Sequence, residues 1–254
     1  MKKILLTCLV LFPLFGLTQT KEQQELAKQT YLVTITSMDA ANPEKRDSYV
    51  KLLKGIQSVA EDESTFSKRV EDHQNYLENL SYFEIPIADT AIITDSLVQA
   101  YDLSYEKSKG NYYIEPGDSF RPVIKENQTG IYLYIYINER KQTYLEFVNY
   151  TNGEEKLQMY KSVIEVGDKK FSYYLNWVKS RGENAEYCSI ETNTRNFLEL
   201  FEALSNHDDE FKITFLGENG NRTQMLPKEM AKEIKSIISL YKLLKDSNTA
   251  DTDR

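Results

Sequence analysis

Residues 131–150 read IYLYIYINERKQTYLEFVNY, and their pattern decides the architecture. From Ile131 to Ile137 an aliphatic residue alternates with tyrosine without a break, a period of two that fits a β-strand and not an α-helix. NERKQ turns the chain, and Tyr144 to Tyr150 runs back as the next strand. Further on, Gly167-Asp168 lies between the alternating runs YKSVIEV and KFSYYLNW, which reads as a hairpin with glycine at its first central position. Residues 185–191 make another strand, Thr194 caps a helix through Leu204, and FKITFL returns at 211–216. GENGN then reverses the chain toward Met225. Pro227 opens the clearest helix, with Met230, Ile234, Ile237, Tyr241 and Leu244 on one stripe. The final DSNTADTDR is polar and expected to be disordered.

Toward the amino terminus the period is helical. Asn42-Pro43 starts a helix that carries Tyr49, Leu52, Leu53, Ile56 and Val59 on one face. Ser64 caps the next, where Phe66, Val70, His73, Leu77 and Leu80 recur at spacings of three and four. A further helix is expected over 22–37 with Leu26, Thr30 and Val33 inward, against the β-branched character of TYLVTIT. Asp95 to Lys107, with Leu97, Tyr101 and Tyr105, reads as a fourth helix. Ile85-Pro86-Ile87 is an extended connector, because the residue before proline avoids the helical region. The fold class is therefore α+β: an antiparallel sheet with carboxy-terminal helices, preceded by a helical amino-terminal region. The segments are a signal peptide at 1–18, the helical region at 19–108, the α+β domain at 109–246 and a tail at 247–254.

MKKILLTCLVLFPLFGLTQT has the anatomy of an export signal: a basic pair, an apolar run from Ile4 to Phe15, and small residues Gly16 and Thr18 before Gln19. Removing 18 residues from 254 leaves 236, and losing Lys2 and Lys3 takes the formal charge from −8 to −10. The expected location is the periplasm or the medium, and no stretch approaches the roughly 20 apolar residues of a membrane helix. An acidic surface without a dense Lys/Arg cluster argues against nucleic acid. Two His, two Cys and one Trp leave little for zinc, disulfide or thiol redox chemistry, and Cys8 departs with the leader. Glycine is only 10 of 254, below the usual share of about 7%, and no phosphate-cradling or nucleophile-elbow motif occurs. No cofactor and no metal site is expected.

The candidate contact surface is the stripe Tyr132, Tyr134 and Tyr136, which one strand projects from a single face, extended by Tyr144 and Tyr150 on the next. Such a row either stacks on sugars and planar ligands or packs inside the protein and stabilises the sheet by cross-strand pairs. His73 lies on an apolar stripe with no nucleophile at helical reach, and reads as a histidine between core and solvent. His207 stands in the acidic turn SNHDDE, which lacks calcium-loop spacing. Cys188 shares a strand face with Ile190 and reads as a small buried hydrophobe. Glu146 and Glu165 are acids within strands, the residues from which a hydrolytic carboxylate pair would draw. The expected function is a non-catalytic binding or interaction module of a bacterial envelope, with an envelope protein or polysaccharide as ligand. The alternatives are a secreted hydrolase of an extracellular polymer and a purely structural component.

Overall fold

The computed structural model describes residues 21–37, 43–60, 65–82, 84–116, 129–175, 178–191 and 195–246. The leader, the Ser64 and Thr194 caps, Trp177 and the polar tail lie outside the described residues. The chain divides into two compact units, Met1–Leu80 and Ser81–Arg254.

In the first unit three helices are described: α1 (Lys21–Ser37), α2 (Pro43–Gln57) and α3 (Thr65–Glu78). Their apolar stripes form its core. The two helices α2 and α3 pack on one another, with Leu53 and Ile56 of α2 and Phe66, Val70, His73 and Leu77 of α3 all buried. The α1 helix exists where the sequence places it, but turned: Ala27, Tyr31, Thr34 and Ile35 are buried, whereas Leu26 and Val33 are 44% and 50% exposed. Tyr31 explains the rotation. Its ring meets Phe66 and His73 edge-on at 5.8 Å each, and its hydroxyl lies 3.2 Å from His73 Nδ1. The larger ring, with its polar tip matched, outweighs Leu26 and Val33. The threonines that lower helix propensity bond back to the preceding turn, Thr30 to Leu26 O and Thr34 to Thr30 O, both at 2.7 Å. His73 is fully buried, so it belongs to the core and not to its boundary.

The second unit opens with a 3₁₀ turn (Thr90–Ile92) and a short helix α4 (Asp95–Gln99), capped by Thr94, whose hydroxyl accepts from Leu97 N at 3.2 Å. The helix expected to reach Lys107 stops there. Asp102 takes a left-handed φ of 58°, and Leu103–Ser108 becomes strand β1, paired with β2 (Asn111–Pro116). The spacing of four in Leu97, Tyr101 and Tyr105 imitates a helix. Pairing prevails because Tyr105 stacks on Tyr112 at 6.3 Å and Lys107 lies 5.0 Å over the same ring.

The remaining strands are β3 (Gly130–Ile137), β4 (Thr143–Asn152), β5 (Met159–Val166), β6 (Lys169–Tyr174), β7 (Lys179–Arg181), β8 (Ala185–Glu191), β9 (Phe211–Gly217) and β10 (Gly220–Leu226). They form two antiparallel sheets, ordered β1-β2-β3-β4-β8-β7 and β10-β9-β5-β6. Helix α5 (Arg195–Ser205) joins β8 to β9, and α6 (Lys228–Asp246) follows β10. Turn chemistry sets the register. Asn138 Oδ1 accepts from Arg140 N and Gln142 N, closing the β3–β4 turn, and Gly167 at φ 56° makes the two-residue β5–β6 hairpin.

One core runs through this unit. Ile131, Leu133, Ile135 and Ile137 of β3 are fully buried on one face. They join Phe147 of β4, Ile213 and Phe215 of β9, and the α6 stripe of Ile234, Ile237 and Leu244. Tyr173 of β6 stacks on Phe197 of α5 at 4.3 Å, and Phe147 closes the aromatic cluster 5.6 Å from Phe197. Each such side chain contributes about 1.5–3 kcal/mol on burial. Helix α6 packs on β2, β3 and β4 and its stripe joins the aliphatic face of β3 in the core, with Tyr132, Tyr134 and Tyr136 on the other face of the strand.

Candidate ligand-binding face

The register assembles a surface on the larger sheet. Tyr132 pairs with Val148, Tyr134 with Glu146 and Tyr136 with Tyr144, so these six share one face. Tyr113 of β2 is the partner of Tyr136, and Ser189 and Tyr187 of β8 are the partners of Val148 and Tyr150. At the far edge, Lys179 and Arg181 of β7 pair with Tyr187 and Ala185. Three rings form a row across strands, Tyr113–Tyr136 at 5.1 Å and Tyr136–Tyr144 at 6.0 Å, and Tyr132 and Tyr134 stack along β3 at 6.4 Å. Tyr132, Tyr134, Tyr136 and Tyr144 are half-buried, and Tyr113 is 38% exposed. Tyr150 differs. It shares the face by register but is 1% exposed, buried with Ala185, and Tyr187 and Met230 pack against the pair, so it is closed off from the open part of the face.

Glu146 sits in the middle of this face and is 7% exposed. Burial pushes its carboxyl above the usual carboxylate range, and a hydrogen bond donated by Ser189 Oγ to Oε2 works the other way. Tyr132 and Tyr134 have phenols pushed above their ordinary value by burial first, Tyr134 also by the Glu146 charge and Tyr132 with a partly opposing effect of Arg181. At neutral pH these phenols are therefore neutral donors and acceptors. The face combines flat aromatic surface, hydroxyl rims, one buried carboxyl group and two cations at its edge. That set suits stacking on a ring while hydrogen-bonding its polar substituents.

The other residues singled out from sequence fall elsewhere. Glu165 lies on β5 in the smaller sheet, 2.7 Å from Lys212 and 4.0 Å from Lys170. The Lys212 hydrogen bond holds its carboxyl below the usual range. Glu146 and Glu165 are thus on different sheets and in opposite electrostatic settings. Cys188 is fully buried on the core face of β8, opposite Asn149. His207 is held by Glu210 O at 3.1 Å and Asp208 by Lys235 at 2.7 Å. Among the described residues no group of His, Cys, Asp and Glu could hold a metal ion. No described helix is long and apolar enough to cross a membrane.

Sequence reasoning missed Tyr113, Tyr187, Ser189 and Arg181. Each lies on a strand whose own alternation is short or interrupted, and only the pairing of β2, β8 and β7 brings them to the face. Comparison with known protein families, characterised proteins and solved structures gives no match.

Proposed function

We propose that this chain is an exported, non-catalytic binding module of a bacterial envelope, whose contact surface is the tyrosine face of the larger sheet. One observation carries the reading: an unbroken aromatic row from Tyr113 through Tyr136 to Tyr144, half-open to solvent on the face opposite the core. Core tyrosines would be closed, as Tyr150 is. The ligand class that fits is a polysaccharide or glycan chain, because sugar rings stack on aromatic faces and their hydroxyls can bond to the phenols at the rims. The export half rests on the leader pattern at 1–18, and the mass of the secreted protein, expected to start at Gln19, checks it.

The deciding experiment replaces Tyr132, Tyr134 and Tyr136 together by Ser. Co-sedimentation with isolated cell-wall sacculi and titration with soluble oligosaccharides are the readouts. Loss of binding with the fold retained by circular dichroism is the expected result. Unfolding of the triple variant, or undiminished binding, would show that the rings are core or irrelevant.

A second reading is favoured by one observation, the raised carboxyl of Glu146 beside a serine and two phenols. In a hydrolase it would be the acid. Turnover of a polysaccharide panel that Glu146→Gln abolishes would move the assignment to that reading, and no turnover by the native protein removes it.

A further inference from the structure

Among the described residues the two sheets end in four edge strands, β1, β7, β6 and β10. An edge offers unpaired N–H and C=O groups, and proteins blunt it by shortness or charge. Three of the edges are blunted. Strand β1 carries Glu106 and Lys107, β7 has three residues of which two are Lys179 and Arg181, and β6 opens with the exposed pair Lys169-Lys170. Strand β10 is not. It runs seven residues, GNRTQML, exposed from Gly220 to Met225 except for the half-buried Arg222. Its one charge is also turned away from the edge, Arg222 donating to Thr151 Oγ1 at 3.1 Å and to Glu155 O.

The phase of β10 shows which groups face outward. Gly217 and Gly220 close a two-residue hairpin, so ladder bonds to β9 alternate from there through Arg222, Gln224 and Leu226. Asn221, Thr223 and Met225 then turn their backbone groups outward. Met225 agrees, since its carbonyl accepts from the Gln224 side chain at 2.9 Å.

We infer that β10 pairs antiparallel with β10 of a second copy of this chain, about a two-fold axis at Thr223, making one continuous sheet across a dimer. Thr223 is the centre of Gly220–Leu226 and has outward backbone groups, the condition for an axis through a hydrogen-bonded pair. About that axis Asn221 faces Met225 and Arg222 faces Gln224, so no like charges oppose. The Met225 side chain, 47% exposed in one copy, is covered by the second. The inference is independent of the tyrosine face, which lies on the other sheet.

Analytical ultracentrifugation of the full-length chain over a dilution series tests it. A dimer is expected, dissociating in about the micromolar range because a single strand pair buries little area. Thr223→Pro removes an outward N–H and no β9 backbone bond, losing only the exposed hydroxyl contact to Thr214 at 3.0 Å, and is expected to give a monomer with a melting curve close to that of the native chain. Thr223→Lys places like charges at the axis and weakens association about fivefold. Mixing Thr223→Lys with Thr223→Glu restores a heterodimer. By NMR, amide exchange at Asn221, Thr223 and Met225 slows as concentration rises. A monomer at every concentration, or a dimer indifferent to both Thr223→Lys and the charge-swapped mixture, overturns the inference. Should the proline variant unfold, the charge swap alone decides.

Discussion

Glu146 carries a charge where the fold least supports one. It is 7% exposed among tyrosines, and burial lifts its carboxyl above the reference value of 4.5. A carboxyl lifted in the folded state holds its proton more tightly folded than unfolded. Its contribution to stability is complete below the unfolded value and is lost as pH rises through the folded one. Glu186, 5% exposed on β8, is lifted by burial in the same direction. Glu165 and Asp208, lowered by Lys212 and Lys235, favour the folded state above the unfolded value, but Asp208 is exposed and Glu165 only half-buried, so both are screened. Glu146→Gln is therefore expected to raise the melting temperature at about pH 8 by a few degrees, since about 1 kcal/mol corresponds to roughly 2–4 °C at this size, and to change little near pH 4. Thermal melts at the two pH values check this. An equal shift at both would contradict the protonation account. The acid itself was legible as a charge inside the alternating strand LEFV, but its burial depended on Ser189 and on rings contributed by two other strands.

At the scale of elements, the connection from β4 to β5 carries the chain from one sheet to the other, and a small polar assembly holds it. Burial raises the proton affinity of the Glu186 carboxyl, and the backbone N–H groups of Gln158, Met159 and Leu157 and the Arg222 charge work against it. Arg222 reaches across from β10 to Thr151 and to Glu155 O. Two glycines make room: a Cβ on Gly153 would meet the Arg222 guanidinium at 2.5 Å, and one on Gly217 would strike the Leu157 carbonyl. Arg222→Ala is expected to cost about 1.5–3 kcal/mol, since it removes two charge-assisted bonds, one of them to the buried Thr151 hydroxyl, with Arg222→Lys recovering only part because it lacks the planar fork. Chemical denaturation of both variants measures it, and a change under about 0.5 kcal/mol would mean that the crossover is held by packing alone. None of this was readable beforehand, because Thr151, Glu186 and Arg222 have no shared spacing in the chain. By contrast, β3, β4, β5 and β9 were legible, since strict alternation has one structural solution when one face is buried. Strand β1 was not, its tyrosines standing four apart as a helix would place them.

At the scale of the whole molecule, the second unit has its own core from Ala88 to Leu244. A core complete within Ser81–Arg254 implies that this segment folds by itself. The excised segment is expected to melt cooperatively and to give dispersed methyl resonances from Ile131, Leu133 and Ile213. A non-cooperative melt would show that the first unit is needed for stability. The change of period near residue 108, read as the limit of the helical region, falls in the turn between β1 and β2, and the compact units divide after Leu80.

What the sequence by itself determined is periodicity: where most strands and helices run, β1 excepted, that the pairing is antiparallel, that the aliphatic residues from Ile131 to Ile137 face a core and that the charge is acidic. Those properties are local, set by side-chain spacing along one segment. Only the tertiary structure decided which segments became neighbours. It turned α1 about Tyr31, shut Tyr150 away, brought Tyr113 and Ser189 to the tyrosine face, placed Glu146 and Glu165 on separate sheets and left β10 as an edge whose one charge, Arg222, is engaged elsewhere. The physical reason is that burial, hydrogen-bond partners and carboxyl proton affinity depend on residues far along the chain, through cross-strand register and packing that no single segment encodes.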